Sequence, residues 1–198
     1  LGILIGAVGD LIISRPLSQQ ARALPAFKAV LDLIKQSTVL YGNMETTIFD
    51  VRSFEGSPYS WDGDWTNSAL PAVAKDLRNM GFTMVSRANN HAMDWGPEGL
   101  RETSRWLDEA LIAHAGVGEN RGLARAPQYY ESSAGRVALI SLATTFRPTT
   151  EALPGHGASP GRAGVNALHL TTTVVVPPAA MTKLAELNCI LYQKTCDR

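Results

Sequence analysis

Three short stretches place polar chemistry directly behind apolar runs: Gly9-Asp10, Gly42-Asn43-Met44-Glu45 and Asn89-Asn90-His91, the last followed by Asp94. If each run is a strand of one sheet, carboxylates, amide oxygens and an imidazole converge at a single edge. Open α/β sheets gather their ligands beyond the carboxyl ends of the strands. Such oxygen and nitrogen donors suit Mg²⁺, Mn²⁺, Zn²⁺ or Ca²⁺, and the lack of cysteine among them argues against a soft-metal site. Arg15 and Arg87 are the cations nearest to these residues and could meet a phosphate or a carboxylate. Each residue also has a plainer reading. Asp10 could close a turn, Glu45 could sit on the surface, and Asn89 and Asn90 could form Asx turns. Asp94 could cap the helix behind Pro97, and the arginines could form surface ion pairs.

The elements that must position these groups follow from apolar patterning. The runs Ile3 to Val8, Thr38 to Tyr41, Phe82 to Ser86, Val137 to Leu142 and Thr171 to Val176 are aliphatic or β-branched on both faces and predict strands covered on both sides. Helical spacing appears between them. Pro25 opens a helix carrying Phe27, Val30, Leu31 and Ile34, and Pro71 opens PAVAKDLRNM with Gly81 just past its end. After Pro97, Leu100, Leu107, Ala110 and Leu111 repeat at helical spacing, and Leu184, Leu187 and Leu191 do so near the C-terminus. Strands alternating with helices imply a layered α/β sandwich with a mostly parallel β-sheet flanked by helices. We expect one domain over residues 1–198.

Two stretches break the alternation. Residues 50–68 are aromatic, Gly-rich and acidic and predict an ordered loop near the site. There Tyr59, Trp61 and Trp65 either line a cleft or form a satellite cluster. Residues 147–164 are rich in Gly and Pro and predict a mobile loop or lid. His114 reads as a packed strand-end residue, His156 as a solvated loop residue and His169 as a surface residue.

Composition excludes some classes. Eighteen basic and 18 acidic residues cancel, and no run of like charge marks a nucleic-acid or polybasic membrane surface, so nucleic acid is not an expected partner. The opening apolar stretch is broken by Asp10 and too short to span a bilayer. Cys189 and Cys196, if on one helix, lie about 10 Å apart along its axis, beyond the reach of a disulfide.

The ordered set VGD at 8–10, GNMET at 42–46, GFTMVSRANNHAMDWGPEGL at 81–100, and HAGVGEN through ARAP to residue 127 resembles the CapA, or bacterial capsule-synthesis, family. The resemblance implies a fold similar to metallo-dependent (calcineurin-like) phosphatases. It also implies metal-ligand roles for Asp10, Glu45 and Asn90, and a proton-moving or anion-stabilising role for His91. Asn43, Asn89 and Asp94 would orient those groups. A divalent ion (Mn, Zn, Mg or Ca) is the implied cofactor. The implied setting is poly-γ-glutamate capsule synthesis or export at the cell envelope, extracytoplasmic or membrane-associated. The substrate would be an anionic polymer, a peptide or γ-glutamyl chain, or a phosphoester, and membrane-bound capsule synthase subunits are implied partners. Two departures stand out: Ile12 occupies the place of a companion histidine, and the family's later His-Trp-Gly-x-Glu and Gly-His-x-Pro-His segments do not occur. We therefore expect the fold to be incomplete at the C-terminus, in a fragment or processed chain. The rival expectation is a non-catalytic envelope component that binds an anionic polymer or synthase partners.

Overall fold

A computed structural model describes residues 2–59 and 67–192. The chain divides into a unit spanning Leu1–Leu168 and a second spanning His169–Arg198. Trp61, Trp65 and Cys196 lie outside the described residues.

The first unit is built on a four-stranded parallel sheet in the order β1-β2-β5-β6, with β1 at Ile5–Leu11, β2 at Val39–Met44, β5 at Met84–Ser86 and β6 at Ala113–Ala115. Three helices connect these strands: α1 (Pro25–Ile34), α2 (Ala72–Asn79) and α3 (Gly96–Glu109). The result is the expected layered α/β architecture with a parallel central sheet.

The core explains why these segments fold as they do. Leu31 of α1, Val73 and Leu77 of α2 and Leu107 of α3 join Leu40 and Val85 of the sheet in one buried cluster. Val73, Leu77, Val85 and Leu107 are wholly buried, each stabilising the fold by about 1.5–3 kcal/mol. Gly81, at φ +102°, ends α2 in a conformation that favours glycine, and the next residues enter β5. Pro71 stands at the N-cap of α2 rather than inside its first turn.

Short strands surround this sheet. β3 (Thr47–Ile48) pairs in parallel with β4 (Ser68–Ala69), and β7 (Val117–Gly118) pairs antiparallel with β10 (Gly164–Val165). α4 covers Arg121–Arg125, and β8 (Gln128–Ser132) forms an antiparallel hairpin with β9 (Gly135–Leu139).

Three expectations fail for identifiable reasons. The run expected at Val137–Leu142 contributes to β9, but it pairs with β8 instead of entering the parallel sheet. The fourth strand of that sheet is Ala113-His114-Ala115, which carries weak β-propensity and is recruited by pairing with β5. The third failure lies in the second unit. The Thr171–Val176 run forms no strand, and Val174 and Val175 are strongly exposed. β-branched residues form strands where they have a partner and a surface to cover.

The Gly/Pro-rich stretch 147–164 is folded back on itself rather than open. Glu151 bridges Val165, Leu153 bridges Arg162, and the Arg162 guanidinium donates to the carbonyls of Pro148 and Glu151. Its Thr150, Ala152 and Ala163 are buried.

The second unit contains α5 (Pro178–Tyr192), none of whose residues is buried. Cys189 is disulfide-bonded; the expectation for the Cys189–Cys196 pair involves a residue outside the described ones. Among the described residues, no helix is long and apolar enough to cross a membrane.

Candidate functional site

The carboxyl end of the sheet gathers the predicted polar residues through an irregularity in β1. Ala7 pairs with Tyr41 and Asp10 with Asn43, so β1 advances three residues while β2 advances two. This extra residue is a β-bulge, a device that re-aims a side chain and is uncommon between parallel strands. It sets Asp10 beside Asn43.

The Asn43 amide nitrogen then donates to Asp10 Oδ1 at 2.9 Å and to Glu45 Oε1 at 3.1 Å. Its oxygen accepts from Asn89 Nδ2 at 3.0 Å, and the same Asn89 nitrogen donates to the Met44 carbonyl at 2.9 Å. Asn89 Oδ1 in turn accepts from the His91 backbone N–H at 3.1 Å. Asn89 is buried, so its three contacts tie the end of β2 to the turn after β5.

Beyond that turn, His91 Nδ1 meets Asp94 Oδ2 at 2.8 Å. Asp94 is buried, and its peptide carbonyl accepts from Tyr59 N–H at 2.7 Å. The carboxylate of Asp94 therefore does not cap α3, whose N-cap position is Trp95 without a side-chain cap.

Negative charge is disfavoured on two carboxylates of this edge. Burial is the main cause that raises Glu45 above the usual carboxylate range, and the neighbouring Asp10 charge adds to it; His91 and the Asn43 amide oppose the rise. Asp94 is also raised, chiefly by burial, against the opposing influence of His91, Arg147 and the Asn67 backbone N–H. Carboxylates perturbed in this way by burial and by one another mark candidate functional sites.

Four further placements matter. Asn90 is exposed and makes no hydrogen bond to Asp10 or Glu45; it lines a small pocket with Tyr59, Met93, Asp94, Arg147 and Thr150. Arg87 is not at the group. It is buried and donates to Ser104 Oγ, and the Asp108 charge acts on it. Burial pushes its guanidinium down to about 10, so it stays charged at neutral pH. Arg15 is exposed and makes no hydrogen bond to the group. His114 bonds Asp108 on the α3 side of β6, and His156 pairs with Ser159 in the folded-back loop.

Several contributors escaped sequence reasoning. Thr46, almost wholly buried, accepts from the Ile13 N–H and from Asn67 Nδ2, holding the loop after β1 against β3 and β4. Gly116, at φ +100°, lets the turn after β6 approach Ala88 and Ser141 so closely that a Cβ would collide with both. Ser141 then donates to or accepts from Ser86 and accepts from the Ala88 N–H. The aromatic cleft beside the site is formed by Phe49, Phe54 and Trp95, with centroids 4.0 Å apart for the phenylalanine pair. Tyr59 lies on the other pocket described above. Of the signals in the sequence, only the glycine at 116, two residues past His114, could have flagged any of these positions.

What could this edge hold? Asp10 and Glu45 both lie within hydrogen-bond distance of one nitrogen, a point of partial positive charge between two carboxylates. That donor chemistry fits a hard cation held by carboxylates, with water or substrate oxygens completing its shell. Among the described residues, no three of His, Cys, Asp and Glu come together as a closed ligand set.

Comparison with known proteins gives the chain a family. A model of the bacterial capsule synthesis protein PGA_cap family matches residues 4–187. The chain belongs to that family. It is 47% identical over 187 residues to the uncharacterized protein y4sH of Sinorhizobium fredii, covering 94% of this chain and 40% of that protein. It is 26% identical over 144 residues to the capsule biosynthesis protein CapA of Bacillus anthracis, covering 70% of this chain and 34% of the relative. For the PGA biosynthesis protein CapA of Bacillus subtilis the figures are 28% over 99 residues, 48% and 25%. The chain thus spans well under half the length of these relatives.

Proposed function

We propose that this capsule-synthesis family member is a metal-dependent hydrolase-type protein of the cell envelope, acting on a phosphoester or on a peptide or γ-glutamyl amide. The observation that carries the reading is the convergence of Asp10 and Glu45 on one point, with the His91–Asp94 pair within electrostatic reach of Glu45. Asp10 and Glu45 would hold a divalent ion (Mn, Zn, Mg or Ca), which supplies Lewis-acid polarisation of a phosphoryl or carbonyl oxygen.

The chain's own residues do the rest. Asp94 holds the imidazole of His91 through Nδ1, so proton exchange with a substrate runs through Nε2. Asn89 fixes the His91 backbone, and Asn43 sets the spacing of the two carboxylates. The Bacillus relatives carry names referring to capsule and PGA biosynthesis, which supports an anionic polymer as substrate or product and membrane-bound synthase subunits as partners.

A panel of phosphomonoesters, phosphodiesters and γ-glutamyl amides, assayed with added Mn²⁺ or Zn²⁺, tests the reading. Turnover by the wild type should fall by about 10²–10⁴-fold in His91→Ala. Turnover that survives this substitution would refute the role of His91. A second reading, a non-catalytic polymer-binding component, is supported by the neutral Asn43 amide already joining the two carboxylates. It predicts polymer binding without turnover of any member of the panel.

A further inference from the structure

A cavity away from the polar sheet edge gathers two cations without partners. It holds about 510 Å³ and is lined by the turn after β3 (Asp50, Val51 and Arg52), by Leu70 and Lys75 around the start of α2, and by Trp106 of α3. None of Asp10, Glu45, His91 and Asp94 lines it. A space of this size, walled mainly by apolar groups with a few polar ones among them, is typical of small-ligand sites.

The fold places each of these charges. The Phe49 N–H donates to the Ala69 carbonyl at 3.1 Å, so the paired strands β3 and β4 lead side by side into the cavity wall. Asp50 then closes a turn: its Oδ1 accepts from the Arg52 N–H at 3.0 Å, and its carbonyl accepts from the Ser53 N–H at 3.1 Å. Lys75 is carried by α2, which the buried Val73, Ala74 and Leu77 anchor in the core. Both cations are exposed, and among the described residues neither the Arg52 guanidinium nor the Lys75 ammonium makes a hydrogen bond or an ion pair. The neighbouring Arg105 differs. Its guanidinium lies over the Trp106 ring at 3.9 Å and is neutralised by Glu102 and Glu109. The cavity thus holds two unpaired cations against one carboxylate, and that carboxylate already has a backbone donor. Beside them, Val51 and Leu70 are each more than half exposed.

We propose that this cavity is a second binding site, which seats an organic oxyanion. Its carboxylate or phosphoryl group is met by Arg52 and Lys75, and its apolar or planar body packs against Val51, Leu70 and Trp106. A free guanidinium offers a fork of N–H donors to such a group, the ammonium adds a second charge, and exposed apolar surface is stabilised by being covered. The site stands whether or not the sheet edge binds a cation.

The test is a ¹⁵N-correlation NMR titration of the chelator-treated chain with benzoate in one arm, phenylphosphonate in a second and the uncharged benzyl alcohol in a third. The backbone signals of Arg52 and Lys75 and the indole N–H of Trp106 are the reporters. Saturable shifts are expected with at least one anion, and the responding arm identifies the group. Arg52→Met and Lys75→Met should each weaken that binding by about three- to tenfold. Asp50→Asn removes the opposing charge and keeps the turn acceptor, so it should tighten binding, a gain that no folding defect gives. Lys28→Met, on exposed α1 and outside the cavity, should leave binding unchanged. Three results would overturn the proposal: benzyl alcohol bound as tightly as the anions, unchanged affinity in both methionine variants, or no saturable shift at the reporters with either anion. The titration is made without metal, so its outcome is independent of whether Asp10 and Glu45 hold one.

Discussion

Two carboxylate-centred corners of the same unit are satisfied in opposite ways. Asp76, buried on α2, accepts from the backbone N–H groups of Leu17 and Ser18 at 2.6 and 3.0 Å and from the Ser18 hydroxyl. At the sheet edge, Asp10, Glu45 and Asp94 are met chiefly by side chains: one shared amide and one imidazole. Backbone donors cannot leave and fix the chain path, so the Asp76 corner does one thing only: it locks the segment after β1 onto α2. Side-chain donors can be exchanged for a cation or a substrate. The contrast teaches that a carboxylate is a candidate for chemistry when its partners are replaceable.

Four substitutions would sharpen or break this contrast. Asp76→Ala should cost about 3 kcal/mol in urea denaturation, because it strips charge-assisted acceptors from partly buried donors. It should leave the site geometry intact. If the loss were small, the structural half of the contrast would fail. Asn89→Ala should cost about 2 kcal/mol, since Met44, Asn43 and the His91 backbone each lose a partner.

Glu45→Gln probes the other half through pH. The folded Glu45 is raised above its ordinary 4.5, so the folded state binds its proton more tightly than the unfolded state. That contribution is full below about 4.5 and is lost as pH rises through the raised folded value. The wild type should therefore lose stability relative to Glu45→Gln over that acidic window, and thermal unfolding of the two proteins across it measures the difference. Parallel curves would contradict the direction. The smallest effect belongs to Arg105→Ala on the exposed face of α3. Despite ion pairs with Glu102 and Glu109, it should change stability by less than about 0.5 kcal/mol by the same denaturation.

The parallel core was legible where periodicity was strong. The helices begun near Pro25, Pro71 and Pro97 and the strands carrying Leu40 and Val85 follow from local apolar spacing. Ala113-His114-Ala115 was not legible, because only its pairing with β5 makes it a strand. The run at 171–176 misled for the complementary reason: propensity without a partner. At the site, Asp10, Asn43, Glu45 and Asn89 are joined by hydrogen bonds, and the His91–Asp94 pair adjoins them through the backbone of His91, in keeping with three strands ending at one edge. The bulge in β1 that aligns Asp10 with Asn43 left only Gly9 as a trace. Arg87 went to Ser104 because a residue just past a strand can face either layer.

The account turns on whether Asp10 and Glu45 share a cation. Mn²⁺ binding followed by electron paramagnetic resonance on the wild type, Asp10→Ala and Glu45→Ala decides it. Saturable binding in the wild type that is lost in both variants is the predicted result. Absence of binding at saturating Mn²⁺, or binding untouched by either substitution, would contradict it.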